Sequence, residues 1–124
     1  RGGEFINLIH PEAFIGKNTK IGKGCIILKN AYIGVDCLID DFVLIQVSAV
    51  IGYDVKVGKY SIIDSLAVCI SGAELKEEVT VHTSSVINNK VIIERNANVG
   101  ACSFVIRRVK ESTSVYGNPA KTIK

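Results

Sequence analysis

The sequence predicts an all-β protein, a single-stranded parallel β-helix, and three observations carry that prediction. Aliphatic residues recur every six positions, the fourth residue after each of them is small or β-branched, and the residue directly after each is often glycine or a polar turn former. A period this short repeated along a whole chain is the signature of a solenoid, in which each unit buries its apolar face only by stacking on its neighbours.

The aliphatic column runs through Ile9, Ile15, Ile21, Ile27, Ile33, Ile39, Ile45, Ile51, Val57 and Ile63 without a slip. After Cys69 it continues through Leu75, Val81, Ile87, Ile93, Val99 and Val105, making seventeen hexads with no insertion. Calling each of these position i, position i+4 holds Ala13, Thr19, Cys25, Ala31, Cys37, Val43 and so on to Val109. Side chains of a strand alternate between faces, so i+4 and the next i point inward while i+5 between them points outward. Each hexad is then a short strand and a turn. The turn begins at i+1, where Gly16, Gly22, Gly34, Gly52, Gly58 and Gly100 stand with Asp40, Asp64, Asn88, His10 and His82. These types tolerate positive φ, so the left-handed residue of each turn is expected at i+1. Three hexads close one triangular coil of eighteen residues, giving nearly six coils.

Composition agrees with such a core. The chain has 124 residues, 48% apolar and 22% charged, with no Trp or Met and only 6% aromatic residues, so slim aliphatic side chains must fill the interior. Its net charge of +3 is mild and its fifteen Lys and Arg are scattered, which excludes the basic footprint of a nucleic-acid protein. No run approaches the roughly 20 apolar residues of a membrane span, and no signal peptide opens the chain; a cytoplasmic location is expected. Residues 1–5 share no pattern with the rest and read as a remnant of cloning, residues 6–111 as the β-helix, and 112–124 as a C-terminal extension.

Residues eighteen apart stack, so the outward i+5 residues sort into three columns. Phe14, Tyr32, Val50, Val68, Val86 and Phe104 form one without a charge. Exposed contiguous apolar surface marks an interface, and a closed cyclic assembly would bury one such stripe in every subunit, so a homotrimer is expected. The column of Lys20, Leu38, Lys56, Glu74, Ile92 and Lys110 reads as mostly solvated. The third, Ile26, Leu44, Ile62, Thr80 and Asn98, is apolar at one end and polar at the other.

Few residues offer chemistry. His10 and His82 stand on one edge, four coils apart, about 19 Å at roughly 4.8 Å per coil; within one chain they cannot share a metal or a proton. Cys25, Cys37 and Cys69 sit in the inward columns, only Cys102 points out, and none has ligand spacing. No metal is expected.

Leu8 to Lys121 resembles the acetyltransferase domain of the bacterial sialic-acid O-acetyltransferase and amino-sugar N-acetyltransferase group. The resemblance rests on Ile9-His10-Pro11 at entry, the unbroken hexads, and Val115-Tyr116-Gly117-Asn118-Pro119-Ala120-Lys121 at exit. It implies the left-handed form of the β-helix, acetyl-CoA as cosubstrate held by Gly117, Asn118, Pro119 and Lys121, and a sugar or nucleotide-sugar amine or hydroxyl as acceptor. In that group an Ile-Gly-His-Asp segment supplies the general base; here it reads Ile51-Gly52-Tyr53-Asp54. A second histidine, common nine residues later in the group, is Ile62. A phenol ordinarily titrates near 10, so Tyr53 is a poor base that could still orient an acceptor, with Asp54 beside it as base or orienter and His82 as a further candidate. Two readings therefore stand side by side: an acyl-CoA dependent acetyltransferase, and a catalytically inactive trimer serving as a binding or scaffold module.

Overall fold

The computed structural model describes residues 4–124; of the segment read as a cloning remnant, residues 1–3 lie outside the described residues. From Leu8 to Val105 the chain is seventeen two-residue strands, β1 (Leu8–Ile9) to β17 (Phe104–Val105), each formed by one i+5 residue and the following i. A longer pair, β18 (Ser114–Gly117) and β19 (Ala120–Thr122), ends it. Every third strand pairs in parallel, which builds three sheets of eight, six and five strands. The first sheet starts at β1, the second at β2 (Phe14–Ile15) and the third at β3 (Lys20–Ile21). Registers such as Tyr32↔Val50 and Leu38↔Lys56 step by eighteen without a slip. The fold is thus a left-handed parallel β-helix of about six turns; the hexads predicted the coil and the resemblance its hand.

The inward columns make one core. Ile27, Ile33, Ile45, Ile51, Ile63, Ile87 and Ile93 are fully buried, and burial of a side chain this size stabilises by about 1.5–3 kcal/mol. The small i+4 residues do more than fill space. Thr19 Oγ1 donates to Gly34 O (2.6 Å) and accepts from Cys37 N (3.1 Å). Ser61 Oγ repeats this with Lys76 O (3.0 Å) and Val79 N (3.1 Å), and Ser85 Oγ donates to Gly100 O (2.6 Å). Each inward hydroxyl thus ties its coil to the next, and among the described residues no buried side-chain nitrogen or oxygen lacks a partner. The thiols of Cys25 and Cys37 donate to Asp40 O and Gly52 O in the same way.

The turns correct one expectation. The left-handed residue is at i+3, from Asn18 (φ 61°) and Asn30 (φ 60°) through Asp54 (φ 57°) to Cys102 (φ 59°), and neither His10 nor His82 has positive φ. The i+1 glycines answer a different demand, the closeness of stacked coils. A Cβ on Gly16 would stand 2.5 Å from the carbonyl carbon of Gly34, and one on Gly52 2.8 Å from Ser71 Oγ.

The C-terminal segment closes the last coil. Val115 continues the first sheet beside Val99, and β19 folds back antiparallel on β18, pairing Tyr116 with Lys121. At the other end Phe5 meets the Phe42 ring edge-on at 5.0 Å, and Phe42 stacks on Tyr60 at 5.3 Å.

Candidate functional site

Each coil has three turns, which form three edges along the prism. The first edge joins the first sheet to the second, the second edge joins the second to the third, and the third edge returns to the first. Tyr53 and Asp54 lie on the second edge, between β8 (Val50–Ile51) and β9 (Lys56–Val57). The turn is pinned from both sides, because Asp54 N–H donates to Val35 O (3.0 Å) and Tyr53 O accepts from Gly72 N–H (3.1 Å). Both side chains project into solvent, Tyr53 with 62% of its surface exposed. Ser71 occupies the same turn position one coil on, its hydroxyl over Gly52.

His82 is elsewhere. It follows β13 (Thr80–Val81) on the first edge, the edge that also carries His10, so the structure brings Tyr53 and Asp54 together and leaves His82 apart from them. One coil earlier on that edge Asp64 Oδ1 accepts from Ser65 N–H (2.8 Å). Burial pushes the Cys69 thiol up to about 12, with Cys37 nearby adding to the shift, and burial also raises Cys25; neither is a nucleophile at neutral pH. Among the described residues no cluster of three His, Cys, Asp or Glu is placed to hold a metal.

The exit motif is divided by the structure. Pro119 and Lys121 line a recess of about 350 Å³ between the returning hairpin and the last coil, together with Arg107, Arg108 and an apolar wall that includes Ile106, Val109 and Ala120. Gly117 and Asn118 are not in its lining; Gly117 N–H instead donates to Ser103 Oγ (3.0 Å). Arg108 pairs with Glu94, whereas no carboxylate among the described residues pairs with Arg107 or Lys121. Arg107 holds the turn position of Tyr53 three coils further along, which is about 14 Å at roughly 4.8 Å per coil.

Sequence reasoning missed two features. Arg107 and Arg108 carried a signal, a pair of guanidiniums where earlier turns hold Ser, Asn and Lys. The other is a groove of about 760 Å³ along the third sheet, over Lys20, Leu38, Lys56 and Glu74, bounded by Asp40, Lys76 and Arg95 of the third edge. That column read as mostly solvated; Gly22 and Gly58 also line the groove. Ion pairs rim its far end, Lys76–Glu74 at 2.8 Å and Arg95–Glu111 at 2.7 Å. The Lys76 hydrogen bond holds the Glu74 carboxyl below the usual range.

Among solved structures the chain is similar to PerB from Caulobacter crescentus in complex with CoA and GDP-perosamine, at 25% identity and a TM-score of 0.96, covering 98% of this chain and 58% of that one. It is similar to the acetyltransferase domain of PglB from Neisseria gonorrhoeae, at 22% identity, a TM-score of 0.97, and coverage of 98% and 60%. A mutant of AntD, an N-acyltransferase from Bacillus cereus, in complex with dTDP and coenzyme A, matches at 18% identity, a TM-score of 0.88, and coverage of 97% and 83%. The likeness to sugar acyltransferases implied by the hexads and the exit motif is therefore present in solved structures. The chain spans somewhat under two thirds of the length of PerB and of the PglB domain. It matches no curated protein. The profile of the GMPPB C-terminal domain matches residues 7–102, and the chain belongs to that family.

Proposed function

We propose that the second edge is the site of an acyl-CoA dependent acetyltransferase acting on a sugar or nucleotide sugar. The observation that carries the reading is the alignment of Tyr53 and Arg107 in one turn column three coils apart, with the recess of Arg107, Pro119 and Lys121 at the far end. A pantetheine arm has about as many backbone bonds as four peptide residues, or about 14 Å when extended. Phosphates held at Arg107 and Lys121 therefore put the thioester beside Tyr53 and Asp54. Free guanidinium and ammonium groups suit phosphate. The neighbours solved with CoA and GDP-perosamine, or with acetyl coenzyme A, support the same pair of ligands. The groove of the third sheet includes Lys56, two residues past Asp54, and gives the acceptor room.

The trimer belongs to this reading. Phe14, Tyr32 and Val50 expose 51%, 47% and 37% of their surface along the second sheet, and the stripe continues through half-buried Val68, Val86 and Phe104. Burying it against a second copy sets the second edge at a subunit boundary. Sedimentation as a stable monomer would remove that part.

A second reading is favoured by Tyr53 standing where resembling enzymes carry histidine: a β-helix that keeps the scaffold and a ligand groove as a binding module. Calorimetry with acetyl-CoA, followed by turnover assays with GDP-perosamine and dTDP-4-amino-4,6-dideoxyglucose, separates the two. Binding with acetyl transfer is expected; silence at millimolar acetyl-CoA would remove the transferase.

A further inference from the structure

We infer that the returning hairpin β18–β19 is an end stop, which keeps a second copy of the chain from adding its first coil to the last one. The inference is independent of the transferase reading and comes from a difference between the two ends of the prism. At the entry end β1, β2 and β3 head the three sheets, and no strand among the described residues pairs with their outer edges. The coil there is regular, stepping by eighteen to β4 (Ile26–Ile27), β5 (Tyr32–Ile33) and β6 (Leu38–Ile39). Its inward residues are partly uncovered. Ile9 exposes 41% of its surface and Ile15 and Ile21 are half-buried, whereas Ile27 and Ile33 of the next coil are fully buried. Strand edges of this kind are templates for another chain.

The exit end is closed in three ways. The last coil is two residues short, since Val109 pairs with Ile93 and Val115 with Val99, sixteen residues on instead of eighteen. It no longer presents the triangle that a regular first coil would match. β18 is then covered by an antiparallel strand instead of a parallel one, with Ile123 N–H donating to Ser114 O (2.8 Å) and Ser114 N–H to Lys124 O (2.9 Å). The covering strand is itself blunted, because Pro119 precedes it and exposed Lys121 and Lys124 stand in and just past it; proline and lysine make an edge a poor template. Ser103 Oγ latches the hairpin by accepting from Gly117 N–H (3.0 Å). That hydroxyl is not a demand of the coil, since the same column holds Ala13, Ala31, Ala49 and Ala67.

A first coil stacked on an unstopped last coil would continue all three ladders by the hydrogen bonds that join any two coils. Such a contact is heterologous and does not close, so copies would add without limit into a filament. It uses the ends of the prism and not the charge-free face of the second sheet, so a side-by-side assembly neither supplies it nor prevents it.

The test opens the stop in the full chain. Ile123→Pro removes the N–H that bonds to Ser114 O, and Ser103→Ala removes the latch. Ile123 is exposed and alanine already serves in the Ser103 column, so the double variant should keep the circular dichroism and cooperative unfolding of the parent. In sedimentation velocity it should grow with concentration to more than twice the mass of the parent, and its filaments should diffract at the stacked-strand spacing of about 4.8 Å. Adding Ile9→Lys, a charge in the open edge at the other end, should return the mass of the parent. A small admixture of parent should shorten the filaments, because its entry end joins them and its exit end stops them. A folded double variant that sediments as the parent does would overturn the inference. So would growth that Ile9→Lys leaves unchanged, filaments that the parent does not shorten, or loss of the prism once the hairpin is opened, which would make the hairpin a part of the fold and not a stop.

Discussion

The first and second edges of the prism share one backbone and differ in what hangs from it. Both repeat a turn with its left-handed residue at i+3, Leu66 (φ 65°) and Ser84 (φ 60°) on the first edge, Asp54 (φ 57°) and Lys90 (φ 61°) on the second. On the second edge Gly52 lets the next coil close until Ser71 Oγ lies over it, and Tyr53, Ser71 and Arg107 form an outward column. On the first edge Asp64 bonds its own turn and His82 faces solvent. The difference teaches that a solenoid carries two interleaved sequences: the inward one sets the coil, and the outward one is free to vary and holds the chemistry.

Core substitutions should not distinguish the edges. Ile51→Ala, leading into the second edge, and Ile63→Ala, leading into the first, should each cost about 2–5 kcal/mol in urea unfolding; a large inequality would break the premise of one shared scaffold. Turn substitutions should distinguish them. Gly52→Ala forces a Cβ to 2.8 Å from Ser71 Oγ and should cost about 1–3 kcal/mol, whereas Asp64→Ala loses one half-buried turn hydrogen bond, about 0.5–1.5 kcal/mol.

Ligand binding should separate the edges in the same way. Arg107→Ala and Lys121→Ala should each weaken acetyl-CoA about tenfold in calorimetry, as expected for a charge-assisted hydrogen bond. Lys29→Ala on the first edge, a residue 3.6 Å from Glu12 in an exposed pair, should leave affinity unchanged. The smallest effect belongs to the groove. Because the Glu74 carboxyl is held down by Lys76, its contribution to stability is complete above the ordinary glutamate value of about 4.3. It is lost as pH falls through the lower folded value. Lys76→Gln should remove that acid-side slope in a stability–pH curve.

The inward sequence was legible because burial leaves one physical demand, aliphatic at i and small at i+4, repeated without exception. Asn18, Asn30, Asp36 and Asp54 also announced the left-handed position, yet the glycines of i+1 drew attention because glycine serves both positive φ and close approach. Tyr53 and Asp54 came from the resemblance, as the residues standing in its Ile-Gly-His-Asp segment. Arg107 was not legible, since a hairpin that returns over the last coil turns a solvated arginine into the wall of a recess, and no periodicity encodes that return. The groove was hidden for a similar reason: its walls come from long side chains on an edge and a sheet that the sequence lists apart.

The most direct test of the second edge as a transferase site is the crystal structure of the protein with acetyl-CoA. The account predicts phosphates within hydrogen-bond reach of Arg107 and Lys121 and the thioester beside Tyr53. A coenzyme lying along the first edge, or with its thioester away from Tyr53, would contradict it.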